Sequence, residues 1–175
     1  MKKIKIAVPA TVANLVCGFD VLGMALNDPY DTMELELIDE PVIYIKHTDD
    51  YGLPEAAEQN VAGVALQALI EDFGNNIGFN VTVHKNIKPG SGLGSSAAGS
   101  AGAVVAANHL LNEHFSKEDL VRFAMNGEKL ATGVKHADNV APCIYGGITL
   151  VRSVFPLDII SLAAPDLFVT VVHPQ

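Results

Sequence analysis

The sequence predicts an α+β fold, with helices on one face of a mostly antiparallel or mixed sheet. Three observations predict it. Segments of alternating apolar and polar residues come first, helical and alternating segments are mixed thereafter, and no repeat, low-complexity tract or linker-like run separates them.

The elements follow in order. "KIKIAV" alternates and predicts a strand over Lys3–Val8, followed by the irregular "PATVANLVCGFD". Thr32–Ile38 and Val42–His47 alternate again and are expected to form a strand pair. Val61, Val64, Ala65, Ala68 and Leu69 fall at helical spacing, and Gly74 ends that helix. "FNVTVHK" places Phe79, Val81 and Val83 on one face of a strand. A glycine-rich loop follows, then a helix from about Ala97 to Asn112. Ser116 and Asp119 form a capping box, with Asp119 standing in for Glu. The helix behind it carries Leu120, Val121, Phe123, Ala124 and Leu130, with Glu128 near its end. "HADNVAPCIYGG" is a helical turn or loop closing at Gly146 and Gly147. Strands "ITLVR" and "LFVTVVHP" complete the reading.

Composition narrows the function classes. The chain has 175 residues, 49% of them hydrophobic, enough for one good core. A net charge of -9 offers no basic patch for nucleic acid or an anionic membrane. Any anion must therefore be bound by local dipoles against an unfavourable field. Cys17 and Cys143 lack metal-finger or CxxC spacing and read as reduced thiols, with Cys143 in the core. "MKKIKIAVPA" is too short and too regularly alternating for a signal peptide, and no apolar run is long enough to cross a bilayer. A cytoplasmic protein is expected. His47, His84 and His136 show no metal spacing and are expected at the surface.

The segment "KPGSGLGSSAAGSAGAVVAANHLL", Lys88–Leu111, carries the chemistry. Its glycines let an anion approach the backbone, and the helix dipole behind adds partial positive charge. A nucleotide P-loop needs Gly-Lys, which occurs nowhere in the chain. A dinucleotide fingerprint needs a strand ending in an acidic residue about 20 residues on, where a second helix begins instead. A structural alternative is a tight strand-to-helix corner, which has no need of Ser95 and Ser96 in tandem.

"PGSGLGSSAA", Pro89–Ala98, carries the G-L-G-S-S-A run of the pattern P-x-x-x-G-L-G-S-S-A at Gly92–Ala97, with Pro89 one position closer to it than the pattern has, and resembles the GHMP kinases. "VPATVANLVCGFDVLG", Val8–Gly23, and "HADNVAPCIYGG", His136–Gly147, resemble the substrate segments of the homoserine-kinase branch of that family. The resemblance implies the family's N-terminal fold (ribosomal protein S-five domain-2-like), ATP and Mg2+ as cofactors, and L-homoserine as the small-molecule substrate. The expected product is O-phospho-L-homoserine, on the path to threonine.

By the same resemblance, nucleotide phosphates are held by Pro89, Gly90, Ser91, Gly92, Leu93, Gly94, Ser95, Ser96, Ala97, Ala98 and Gly99. Ser96 and Glu128 hold the metal. Asn14 and Asp20 bind substrate, the carboxylate pairing with the ammonium. Asn139 orients the accepting hydroxyl and, with Ser96 and Glu128, completes the catalytic set. Asp138 is either a base or a cap, and the hydroxyl proton can pass directly to the γ-phosphate, because phosphoryl transfer gains mostly from positioning. Asn60, Val61 and Lys85 are adenine candidates, and Lys88 either assists the phosphates or is exposed.

Members of that branch are longer. The expected domains are 1–165, the ATP-binding domain, and 166–175, the first strand of a C-terminal ferredoxin-like domain that this chain lacks. The 175 residues alone are therefore expected to be inactive as a kinase. A homodimer is compatible with the sequence. The alternatives are another small-molecule GHMP kinase and a non-catalytic nucleotide-binding domain of the same fold.

Overall fold

Leu22–Ile38 forms one 17-residue strand, and the sheet is arranged around it. The computed structural model describes residues 2–74 and 76–172. Strand β1, Lys3–Ala13, runs antiparallel along one edge of this long strand, β2. The opposite edge is shared by two others. β4, Gly78–His84, pairs with its C-terminal half, and β5, Ile148–Val154, with its N-terminal end. β3, Ile43–His47, lies outside β4, and β6, Leu157–Leu162, outside β5.

Period-two alternation sends one side of each strand inward. Val8, Ala10, Met33, Leu35, Phe79, Val81 and Val83 are buried beneath the helices. The outer face is polar: Lys3 pairs with Glu34 at 2.7 Å, and Asn80 donates to Glu36 at 3.3 Å. Helices α1, Val61–Phe73, and α2, Ser95–Leu110, cover the inner face. α3, Lys117–Thr132, lies across both, and the short α4, Val140–Tyr145, closes the end near β1 and β5. Glycines set the helix spacing. A Cβ on Gly99 would come within 2.8 Å of Val61, one on Gly102 within 2.6 Å of Val8, and one on Gly127 within 2.6 Å of Ser100 and of the Val61 carbonyl.

The α+β class and the predicted helices are present, including the reciprocal Ser116–Asp119 capping box and the Gly74 stop. Several details differ. β1 continues past Val8 because a bulge between Pro9 and Thr11 absorbs the proline, which cannot donate to the ladder. β2 and β3 do not pair. β4 lies between them, antiparallel to β2 and parallel to β3, with α1 as the crossover. Gly78 permits this, since a Cβ there would lie 2.1 Å from the carbonyls of Glu40 and Val42 in the crossing connection.

α2 begins at Ser95 rather than Ala97, because Gly94 adopts a left-handed φ of 65° and serves as N-cap. β6, which the sequence reading missed, returns from β5 after a turn at Phe155 and Pro156. The final strand is absent: residues 163–172 form no ladder, and Phe168 and Val172 are exposed, while His173 and Pro174 lie outside the described residues. Leu130 is half-exposed, whereas Leu120, Val121, Phe123 and Ala124 are buried. No helix among the described residues is long and apolar enough to cross a membrane.

Candidate active site

The glycine loop is held from below. Asp31, on β2, is 1% exposed, and its Oδ1 accepts from the N–H groups of Asn86 and Ile87, each at 2.8 Å. Its other oxygen pairs with the buried Lys85 ammonium, which also donates to the Ser95 carbonyl at 2.7 Å. Ser95 Oγ donates to the Ile87 carbonyl at 2.9 Å. The loop is thereby stapled at both ends, and the first serine of the tandem is spent on structure.

Between the staples, Gly90, Gly92 and Gly94 all have positive φ, at 77°, 77° and 65°. Alternating handedness of this kind turns successive N–H groups toward one side. Gly94 has no side chain to cap α2, so the first-turn N–H groups lack a side-chain acceptor. They open onto a cavity of about 450 Å3. Pro89, Gly90, Gly92, Gly94, Ser95, Ser96, Gly99, Glu128 and Asn139 all line it, as do Asn60, Val61 and Lys85. A groove of about 490 Å3 beside α1, from Glu58 to Asn126, contains none of these.

Glu128 is 4% exposed, and its Oε1 has no hydrogen-bond partner among the described residues. Burial pushes its carboxyl above the usual range, and the neighbouring Asp138 adds to the rise, while Ser96 and His136 oppose it. Asp138 is buried too and is also shifted upward, mainly by desolvation. A buried, unpartnered carboxylate oxygen facing a serine hydroxyl is a donor set for a hard cation. Among the described residues no cluster of three or more His, Cys, Asp or Glu side chains could hold a metal.

Asn139 begins α4, and its Oδ1 accepts from Thr11 Oγ1 at 2.8 Å. The remaining expected substrate residues lie apart from the cavity wall. Asn14 and Asp20 have left-handed φ of 72° and 59° in the loop after β1, and Asn14 Oδ1 accepts from the Asp20 N–H at 2.9 Å. Asp20 Oδ1 is 3.9 Å from His136 Nδ1, which brings that loop to the segment leading into Asn139. Gly23 closes the join, since a Cβ there would fall 1.6 Å from the Asp138 carbonyl oxygen.

Of the other loop residues, Leu93 contributes its carbonyl to the Thr11 N–H at 3.1 Å, Ala97 and Ala98 are buried, and Ser91 Oγ has no partner among the described residues. Lys88 is exposed. His47 is not a surface residue. Its side chain is 8% exposed and lines the cavity, with Nε2 3.0 Å from Asn60 Nδ2. Cys143 packs against the core as expected, and burial pushes its thiol up to about 12.

Residues 60–147 match the family of GHMP kinases N terminal domain. The chain belongs to the GHMP kinases. Homoserine kinase of Methanococcus maripaludis strain C5 is 42% identical over 176 residues, covering 100% of this chain and 58% of the relative. Homoserine kinase of Methanocella arvoryzae is 46% identical, over 86% of this chain and 48% of the relative. The crystal structure of homoserine kinase from Cytophaga hutchinsonii superposes with a TM-score of 0.87 at 46% identity, covering 94% of this chain and 53% of that one. The Methanococcus jannaschii mevalonate kinase shares the GHMP fold at a TM-score of 0.69 and 18% identity. The chain thus spans about half to three-fifths of the length of the GHMP kinases it matches.

Asp31, Thr11 and Gly23 were missed by sequence reasoning. Thr11 and Gly23 sit inside the Val8–Gly23 stretch that drew attention, but nothing local distinguishes Asp31, whose partners lie 54 to 56 positions away.

Proposed function

We propose that this chain supplies the nucleotide site and part of the substrate site of an ATP-dependent kinase that phosphorylates the side-chain hydroxyl of L-homoserine. The observation that carries the reading is the meeting, on one cavity, of the glycine loop, the buried Glu128 and Asn139. The kinship with homoserine kinases over the whole chain supports it.

In this reading the N–H groups from Gly92 to Ser96 hold the nucleotide phosphates, and they need no reorganisation because the loop is already stapled. Ser96 and Glu128 hold Mg2+; the ion, when bound, offsets the charge on the phosphoryl oxygens. Val61 lies against the base, with Asn60 at its polar edge. Asp20 pairs with the substrate ammonium, Asn14 offers its free amide N–H groups, and Asn139 orients the hydroxyl. Asp138, protonated more readily than an ordinary carboxyl, is not required as a base. An intracellular biosynthetic role belongs to the same proposal.

The experiment is a turnover screen of the full-length protein with ATP and Mg2+ against L-homoserine, mevalonate and related alcohols, with products read by phosphorus NMR. O-phosphohomoserine as the preferred product is expected. Preference for another alcohol moves the assignment to a different GHMP kinase activity. Nucleotide binding with no turnover leaves a non-catalytic domain.

A further inference from the structure

We infer that Thr11 is a positioning residue, whose hydroxyl locks the Asn139 carboxamide so that its NH2 group, and not its carbonyl, faces the cavity. The inference rests on the kinase reading above for its chemical meaning, but not for its geometry. Thr11 is 0% exposed, and a buried hydroxyl proton requires an acceptor. Asn139 Oδ1 is that acceptor, at 2.8 Å. The flipped amide would donate to Thr11 and deprive its proton of that oxygen; the neighbouring Cys143 sulfur is a weak acceptor, and its thiol is already directed at the Pro9 carbonyl, 3.5 Å away. The carbonyl of Asn139 is therefore consumed. Its two N–H donors have no protein acceptor among the described residues.

Thr11 is itself held from several sides. The β-bulge after Pro9 turns it inward, out of the alternation of β1. Its N–H donates to the Leu93 carbonyl at 3.1 Å. Its Oγ1 occupies the space of the missing Gly94 side chain, where a Cβ would lie 2.0 Å away. One threonine thus touches the glycine loop and the amide at the same time, and sets the distance between them.

The chemical consequence concerns a proton. An amide that can only donate engages a lone pair of the accepting hydroxyl and leaves its O–H directed elsewhere, toward a phosphoryl oxygen. As the hydroxyl oxygen bonds to phosphorus and the bridging oxygen of the nucleotide departs, the proton passes to the transferred group. An Asn139 carbonyl turned into the cavity would instead compete for that proton.

The test uses the full-length protein carrying Thr11→Val, which keeps the shape and removes the hydroxyl, and Thr11→Ser, which keeps the hydroxyl. Thr11→Val is expected to lower kcat by ~10- to 100-fold with KM for ATP changed less than ~2-fold, while Thr11→Ser stays within ~3-fold of the parent. In parallel, the side-chain amide NMR signals of Asn139, assigned by their loss in Asn139→Ala, should move in Thr11→Val and return in Thr11→Ser. Should Thr11→Val fail to fold, Thr11→Ala replaces it. An unaltered kcat, equal losses in the serine and valine variants, or amide signals indifferent to the hydroxyl would each overturn the inference. If the parent does not phosphorylate L-homoserine, the substrate assignment falls, and the amide signals alone decide the role of Thr11.

Discussion

Asp31 and Lys85 meet in a buried ion pair beneath the glycine loop, and both also bind backbone of the loop or its approach. The two are not equivalent. Asp31→Ala leaves a buried ammonium and two unpaired N–H groups, whereas Lys85→Met leaves a carboxylate still accepting from Asn86 and Ile87. Asp31→Ala should cost about 3–5 kcal/mol, and Lys85→Met measurably less. Urea unfolding of the two variants checks the order, and equal losses would mean that the backbone bonds to Asp31 contribute nothing.

The proposed metal contacts make a kinetic prediction. Ser96→Ala should lower turnover about a hundredfold or more, the cost of one transition-state contact of ~3 kcal/mol. Titrating Mg2+ into the full-length variant provides the check. A parent-like rate at saturating Mg2+ would remove Ser96 and Glu128 from the metal site.

Glu128 also makes a stability prediction with a definite sign. Its folded pKa is raised above the ordinary 4.5, so the buried group is favoured when neutral. Stability is then greatest below that value and is drawn down as pH climbs through the raised one, because the folded state binds the proton more tightly. Glu128→Gln removes the charge. Its gain in urea midpoint over the parent should be small near about pH 4 and grow toward about pH 8. A gain that shrinks with pH would mean that the free protein already holds a partner for the carboxylate.

Gly90 and Gly94 share a left-handed backbone but not the same surroundings. Nothing lies within 4 Å of a Cβ on Gly90, while one on Gly94 meets Thr11 Oγ1 at 2.0 Å and Asn139 Oδ1 at 3.2 Å. Gly90→Ala should cost roughly 1–2 kcal/mol of backbone strain alone. Gly94→Ala should cost more and also weaken MgATP binding, as calorimetry on both variants would report. Retained affinity in Gly94→Ala would sink the assignment of the loop to phosphate.

What could be read beforehand followed from locality. Alternation over Phe79–Val83 and the Ser116–Asp119 cap are decided by neighbours, and both are present. The loop, Glu128 and Asn139 stood out because their residue types match a known pattern, and they line one cavity. Asp31 and the insertion of β4 between β2 and β3 were not legible. They depend on contacts across tens of residues, and a carboxylate in an alternating strand looks like any solvent-facing residue until its partners arrive. The segment 163–172 shows the converse, since its strand-like composition finds no ladder among the described residues.

The bond between Thr11 and Asn139 joins residues 128 positions apart. A ribosome adding ~5–20 residues per second makes the second roughly 6–26 s after the first. Leu93, the other partner of Thr11, is made well before Asn139, so the emerging chain can seat its glycine loop on β1 while the threonine proton still lacks its acceptor. Until α4 arrives, water must serve that hydroxyl, and the growing polypeptide holds a cradle for an anion without the amide that would aim an alcohol at it. In the proposed kinase, the order of synthesis thus delivers the anion cradle before the amide that would orient the alcohol.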